Sequence, residues 1–239
     1  MKKTTLLVIV LLFVCNLVNS QTDVSTKLTK LKEELAYISE NKVEIKSISF
    51  SETGDWIVFY GDIGYSYNSI SEDVTKVLTD LNSNQKVLKD VELFTEGWII
   101  TSVNNAYAAY GISDKMVETL NDINKGEKKI NDIDVVNSDT WVVLFGNSGF
   151  SYSSIPASAE KKLKTLYQKD KKLRKIELVG EDGWIIFFGT NGFVYDKIPD
   201  EAGNKLVSLF EEDKSINFIK FFGDYWIIVY DDYSYYTNF

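Results

Sequence analysis

Hydrophobic and polar residues follow a pattern that recurs five times after residue 40. Each copy opens with apolar residues three and then two positions apart, as in Ile45, Ile48 and Phe50, with polar residues between them. Such alternation predicts a β-strand with one face towards a core and the other towards water. The equivalent apolar positions of the later copies are Leu88, Val91 and Leu93; Ile130, Ile133 and Val135; Leu173, Ile176 and Leu178; and Ile216, Ile219 and Phe221.

A second strand begins at a tryptophan in every copy. It is apolar on both faces and rich in β-branched and aromatic residues, which predicts a central strand covered on both sides. The tryptophans are separated by 42, 43, 43 and 42 residues, and the chain has no others. This near-constant period indicates one supersecondary unit copied five times, with each indole as a core anchor. The residues are Trp56, Trp98, Trp141, Trp184 and Trp226.

A tight turn and a third strand complete each sheet. The turn carries paired glycines, as at Gly61 and Gly64, which supply the positive φ angles that hairpins need. The third strand is aromatic at alternate positions, although the second copy degenerates to Tyr107-Ala-Ala-Tyr110 and the fifth has a shorter turn at Asp231-Asp232. Each copy is therefore expected to form a three-stranded antiparallel unit.

A helix with one apolar stripe and one charged face follows the third strand. Ser71 and Ser113 stand at expected N-cap positions, and Pro156 and Pro199 suit a first helical turn. The fifth copy reaches Phe239 without such a helix. The missing helix is predicted at the other end, from Ser25 as its cap to Glu40, with an apolar stripe formed by Leu28, Leu31, Leu35 and Ile38.

The predicted fold class is therefore α/β, with five αβββ repeats of about 43 residues in a single domain over residues 21–239. A unit with one apolar strand and one striped helix cannot bury itself alone, so neighbouring copies must pack together. The fifth copy lacks a polar outer face, which favours a propeller-like ring in which the first helix covers the last sheet. The alternative is an open solenoid.

The first twenty residues predict a secretory signal peptide. Lys2 and Lys3 precede an apolar run from Leu6 to Val14 that is short for a membrane span, and cleavage is expected after Ser20. The alternative is a lipoprotein signal in which Cys15 becomes the lipidated first residue, but Val14 is a poor neighbour for it. We therefore expect a periplasmic or extracellular protein with no transmembrane segment.

Composition excludes several chemistries. The chain has no histidine and its one cysteine lies in the expected leader, which removes serine–histidine and cysteine–histidine catalysis and histidine or cysteine zinc sites. No cofactor or metal is expected. The formal net charge is −9, and it becomes −11 without Lys2 and Lys3, the only charged residues of the first twenty. Such a surface repels phosphate backbones, so nucleic acid is not an expected partner.

The repeat text resembles tandem repeats of bacterial secreted and multidomain proteins that have no settled role. The shared features are the Trp-Ile/Val-Ile/Val strand, the Gly-x-x-Gly turn, Phe/Tyr-x-Tyr and Ile-Pro before the helix, and they cover Ser25 to Phe239. In element order alone the chain is similar to the pentein α/β-propellers. That resemblance implies a five-unit toroid, while the cysteine and histidine of pentein enzymes are missing here.

The sequence favours a non-enzymatic binding module or scaffold, acting as a monomer on an unknown protein or glycan. Phenol rings near the turns, together with turn asparagines, could stack on sugar rings and bond to hydroxyls, although packing against the helices would equally explain the rings. The alternatives are a carboxylate-dependent glycoside hydrolase and a structural periplasmic or surface component. The candidate ligand-binding residues are Tyr65, Tyr67, Asn147, Tyr152, Asn191, Tyr195 and Tyr235.

Overall fold

A computed structural model of the chain describes residues 23–239, which form five αβββ repeats as predicted. The expected signal peptide and Cys15 lie outside the described residues. Within residues 23–239, no helix has both the length and the apolar character needed to cross a membrane.

Helix α1 occupies residues 23–40 of the described chain. The other elements are, in order, β1 (Ile45–Phe50), β2 (Trp56–Tyr60), β3 (Gly64–Asn68), α2 (Glu72–Ser83), β4 (Leu88–Phe94), β5 (Gly97–Ser102), β6 (Tyr107–Tyr110), α3 (Asp114–Lys125), β7 (Ile130–Val135), β8 (Trp141–Phe145), β9 (Gly149–Ser153), α4 (Ala157–Gln168), β10 (Leu173–Val179), β11 (Gly183–Phe188), β12 (Gly192–Asp196), α5 (Asp200–Glu211), β13 (Ile216–Phe222), β14 (Tyr225–Tyr230) and β15 (Ser234–Thr237).

Each repeat forms its own antiparallel sheet, numbered here 1 to 5, with the tryptophan strand in the middle. The first strand of every sheet is irregular near its start; in β1 the register shifts between Ile45 and Ser47, which leaves Lys46 as the bulged residue. A bulge adds one residue to one strand, so the next inward-facing apolar side chain comes three positions later. This explains the spacing of Ile45 and Ile48.

In the Gly-x-x-Gly turns, only the first glycine has the positive φ that the sequence predicted for both; the second is needed for space. Gly61 has a φ of 57°. At Gly64, an added Cβ would lie 2.4 Å from the ring of Tyr60, so a side chain there would clash. The fifth turn was expected to be shorter, but three residues separate Tyr230 from its partner Ser234, as many as in repeats 1, 3 and 4. It differs in having positive φ at both Asp231 (50°) and Asp232 (68°).

The core consists of five clusters, each formed by one helix between two sheets. Val74 and Leu78 of α2, for example, pack against Ile57 of sheet 1 and Val91 of sheet 2. Helices α3, α4 and α5 make the equivalent clusters between the following pairs of sheets. The tryptophans are core residues as predicted, with exposed fractions of 4% for Trp56, 9% for Trp98, 0% for Trp141, 3% for Trp184 and 1% for Trp226.

Helix α1 makes the fifth cluster, between sheet 5 and sheet 1. Leu31 and Leu35 share this core with Ile48 of β1 and with Ile227 and Val229 of β14. Sheet 1 is also bonded directly to the last turn, since the N–H of Ile45 donates to the carbonyl of Asp232, between β14 and β15, at 2.8 Å. The N-terminal helix therefore contacts the last sheet, as the sequence predicted.

Three predicted helix starts need correction. Ser25 lies inside α1, because the helix already includes residue 23. Pro156 and Pro199 are N-cap residues with an extended ψ of 134° and 132°, and do not belong to the first helical turn. Ser113 is the N-cap of α3, but its hydroxyl accepts the indole N–H of Trp141 at 3.2 Å instead of a helix N–H. The Ser113 hydroxyl therefore helps to fix the indole of Trp141 and makes no side-chain capping bond to α3.

Candidate functional site

The tyrosines predicted to bind ligand lie in the third strands of four different sheets. In sheet 1, Tyr65 and Tyr67 stack with their ring centroids 6.2 Å apart. The hydroxyl of Tyr152 donates to Glu160 of α4 at 2.6 Å, and the hydroxyl of Tyr235 donates to the Lys32 carbonyl at 3.4 Å. Tyr67 and Tyr195 are 45% and 37% exposed. The structure brings only the pair in sheet 1 together, and that surface stays a candidate.

The two predicted asparagines connect one repeat to the next. The side-chain amide of Asn147 donates to the carboxylate of Asp170 at 2.7 Å. Asn191 donates to the carbonyl of Lys214 at 2.7 Å and accepts the N–H of Ile216 at 2.8 Å. Their amide groups are therefore used within the protein, at the junction between a hairpin turn and the following helix–strand loop.

Sequence reasoning missed a charge cluster where the first strands of all five sheets face one another. We call it the central charge cluster. The polar face of these strands was expected to be wet, but Asp90, Glu92 and Asp132 are only 3%, 6% and 2% exposed. The prediction was wrong because this face points at the equivalent face of the other repeats. The cluster comprises Ser47, Asp90, Asp132 and Lys175 in one layer, and Ser49, Glu92, Asp134, Glu177 and Lys220 in the next.

Lys220 of β13 holds the second layer together. Its ammonium donates to Glu92 at 2.8 and 2.9 Å, to Glu177 at 2.8 Å and to Asp134 at 3.2 Å. These carboxylates come from sheets 2, 4 and 3, so one side chain joins four repeats. Two of these carboxylates also accept a backbone N–H of the following sheet: Asp134 from Leu178 at 2.8 Å and Glu177 from Phe221 at 3.2 Å.

The first layer has a similar arrangement around Lys175. Its ammonium lies 2.9 Å from Asp132 and 3.3 Å from Asp90, and 5.4 Å from the ring centroid of Phe218. Asp132 accepts the N–H of Ile176 at 2.7 Å, and Asp90 accepts the hydroxyl of Ser47 at 2.6 Å. Lys175 therefore acts in this layer as Lys220 does in the next.

Burial raises the pKa of Asp132 and Glu177, two of these acids. It raises the pKa of Glu177 to about 8 against the attraction of Lys220, and it raises the pKa of Asp132 to about 7 with help from the neighbouring Asp90. The cavity inside the cluster measures only about 10 Å³, room for about one water molecule. No group of acidic side chains within residues 23–239 is arranged to hold a metal ion. The geometry suits a structural role that connects the repeats.

The surroundings of Trp98 depart most clearly from repeat symmetry. In the first, third and fourth repeats the indole N–H is bonded; Trp56, for example, donates to the carbonyl of Lys27 at 2.8 Å. The indole N–H of Trp226 has no hydrogen-bond partner within residues 23–239, but its ring is stacked on Tyr236 with the centroids 5.6 Å apart. The N–H of Trp98 has no partner among the described residues, and its side chain, only 9% exposed, lines an open groove between sheets 1 and 2.

The residue paired with this tryptophan also differs. Trp98 pairs across the strands with Tyr110, which is 67% exposed, whereas the residue opposite Trp56, Trp141 and Trp184 is a small polar or acidic one. Gly97 allows this hairpin to close tightly, since an added Cβ would lie 1.9 Å from the Tyr110 carbonyl oxygen. The second repeat thus presents an exposed aromatic ring where those three repeats carry none.

The groove has a volume of about 370 Å³ and a mixed lining. Its walls carry the hydroxyls of Ser51, Thr53 and Ser69, the carboxylates of Asp73 and Glu96, and the rings of Trp98 and Tyr110. We call this the Trp98 groove. It contains none of the residues singled out from the sequence as ligand-binding, although the altered third strand of the second copy was a visible signal.

Comparisons with known proteins give little beyond architecture. No protein-family model matches the chain, and no curated protein matches it. Among solved structures, the chain is similar to one titled "YCF48 bound to D1 peptide", a β-propeller, with a TM-score of 0.33 and 6% identity. The match covers 79% of this chain and 61% of that one, so this chain spans under two thirds of its length.

Proposed function

We propose that the protein is a non-enzymatic binding module and that the Trp98 groove binds a glycan. The observation that carries the proposal is the unpaired indole N–H of Trp98, set beside the exposed ring of Tyr110 in an open groove. Sugars are recognised by aromatic rings that stack on their apolar faces and by polar groups that bond to their hydroxyls. The groove supplies both kinds of group.

The polar lining fits a ligand rich in hydroxyl groups. Asp73 and Glu96 can accept hydrogen bonds from the ligand, while the Trp98 N–H can only donate. Thr53 is already oriented, since its hydroxyl donates to Asp55 at 2.8 Å and can accept from a ligand. A ligand with donors and acceptors on the same ring, as in a sugar, satisfies these groups together.

A closed ring of five repeats is part of this proposal. It is supported by the cluster that α1 makes with sheets 5 and 1, and by the bonds of Lys220 to three other sheets. Closure would fix the spacing of sheets 1 and 2, and thus the width of the Trp98 groove. A pre-formed site loses less conformational freedom when it binds.

A glycan array followed by titration of the best ligand tests this function. Tyr110→Ala should weaken binding by about two- to tenfold, since stacking contributes roughly 0.5–1.5 kcal/mol beyond the buried area. The matched control is Tyr37→Ala, which removes a 62% exposed tyrosine from α1 and should change nothing. Asp73→Asn should weaken binding without unfolding the protein.

The same samples distinguish the alternatives. Turnover of chromogenic glycosides that is lost in Asp73→Asn or Glu96→Gln would make the protein a hydrolase. Glycan binding that Tyr110→Ala leaves unchanged would place the ligand elsewhere, with the stacked Tyr65 and Tyr67 pair as the next surface to test. No binding on the array would favour a protein partner or a structural role.

A further inference from the structure

The bulged residues of the first strands form a basic depression at the opposite end of those strands from the Trp98 groove. The bulge position holds Lys46, Lys89 and Arg174 in repeats 1, 2 and 4. Together with Lys129 and Lys175 these side chains line a concavity of about 250 Å³, which we call the basic mouth. Five cations converge there on a chain whose formal net charge is −9.

Part of this arrangement is structural. Asn131 occupies the bulge position of repeat 3, and its amide donates to the carbonyl of Leu173 at 2.9 Å, on the first strand of the next sheet. Arg174 makes the same connection to Ile216 at 3.1 Å, and Lys89 makes it to Ile130. A neutral amide is therefore sufficient for the connection, which leaves the positive charge in repeats 2 and 4 unexplained by packing.

Arg174 is the strongest sign of a missing anion. Its guanidinium lies 5.8 Å from the ring centroid of Phe187 and has no carboxylate partner among the described residues. Its Nε and Nη2 atoms are buried and make no hydrogen bond. Buried charged groups are normally paired, because leaving one unpaired costs free energy. Burial lowers the pKa of Arg174, and it lowers the pKa of Lys89 to about 8.

The acids in and beneath the mouth offset only part of this charge. Glu44 lines the mouth and is exposed, so it opposes one of the five positive charges. Asp90 and Asp132 lie in the layer beneath and are bridged by Lys175. Lys46 faces only Asp62, at 3.4 Å, and that carboxylate is 84% exposed. The positive charge of Lys89, Lys129 and Arg174 is therefore available to a ligand.

We propose that the basic mouth binds a doubly charged oxyanion of the phosphate class. Such an anion has several acceptor oxygens, which match the converging donors of two ammonium groups and a guanidinium. The volume of the mouth accommodates a phosphate group and leaves room for a small substituent on it. This site is separate from the Trp98 groove and does not depend on the proposed glycan.

Calorimetric titration with inorganic phosphate at constant ionic strength tests the proposal. Arg174→Gln and Lys89→Gln should each reduce the affinity about tenfold or more, because each removes a charge-assisted hydrogen bond while glutamine preserves the link to the next sheet. The control is Lys161→Gln, which removes the same charge from the exposed face of α4 and should leave the affinity unchanged.

A second measurement uses the wild-type protein and so does not depend on how the variants fold. At pH 8, acetylation of lysines followed by peptide mass spectrometry should show Lys89 protected by phosphate and Lys161 not protected. Repeating the titration with glycerol phosphate shows whether the ligand is free phosphate or a phosphate ester. Glycerol phosphate that binds as tightly as phosphate assigns the mouth to an ester, and weaker binding assigns it to the free ion. Absence of both protection and variant effects would overturn the proposal.

Discussion

Replacing Lys220 by methionine should destabilise the protein strongly while leaving its shape intact. The substitution keeps a long side chain of similar volume but removes the ammonium that contacts Glu92, Asp134 and Glu177. Breaking a buried ion pair by deleting one partner costs about 3–5 kcal/mol, because the remaining charge is left uncompensated. Here three carboxyl groups lose their common cation, so we expect the upper part of that range at pH 9, above the raised pKa of Glu177.

Urea unfolding followed by tryptophan fluorescence measures this effect. Each of the five core clusters contains one tryptophan, so the signal reports on every repeat. The loss should be smaller near pH 5, since a protonated carboxyl needs no counter-charge. It should also be partly recovered in the double variant Lys220→Met with Glu177→Gln, which removes one of the unpaired acids.

The control is Lys161→Met, on the exposed face of α4, for which we expect a change within about 0.5 kcal/mol. A loss below about 1 kcal/mol in Lys220→Met at pH 9 would refute the reasoning, since it would mean that the carboxylates do not need the ammonium. An equal loss at pH 5 and pH 9 would show that the effect is packing and not charge.

Three further predictions concern the cores and the central charge cluster. Trp141→Ala should cost roughly 3–5 kcal/mol in urea unfolding, because the ring is fully buried; a loss below about 1 kcal/mol would contradict its role. Deleting residues 21–40 should abolish cooperative unfolding by exposing Ile227 and Val229; a truncated protein that melts like the full chain would rule out closure through α1. The protein should unfold at a higher urea concentration at pH 5.5 than at pH 8. Between the usual pKa of 4.5 and about 8, the folded state keeps a proton on Glu177 that the unfolded state loses. A urea midpoint that stays constant or rises from pH 5.5 to pH 8 would contradict the raised pKa.

The repeat, its elements and its core were predictable because they follow from local periodicity. The tryptophan strand is apolar on both faces in every copy, and the structure places it in the middle of each sheet. The three-residue spacing of Ile45 and Ile48 is a consequence of the bulge, but only the strand pairing reveals the bulge itself. The turn at Asp231-Asp232 was wrongly predicted to be shorter, because the loss of both glycines was taken for a change of length.

The central charge cluster was not predictable in the same way, because burial there depends on five sequence-distant strands. Seen within one copy, Asp132 and Asp134 alternate with apolar residues and match the pattern of a wet strand face. Only the meeting of all the repeats buries that face. One signal was present in the sequence: Lys175 and Lys220 stand at repeat positions where other copies carry acids. Buried acids need cations, and here the cations come from other copies.

The positions that differ between copies carry more information about function than the positions that repeat. Shared residues such as the tryptophans serve the same packing role five times over. Tyr110 departs from that rule, because it is an exposed ring where the first, third and fourth copies place small polar or acidic residues. Arg174 departs from it as well, because Asn131 makes the same connection without a charge. Neither departure improves the core, and the buried Nε and Nη2 atoms of Arg174, which lack hydrogen bonds, oppose folding. Both residues line concavities large enough for a small ligand, so binding explains their presence better than stability does.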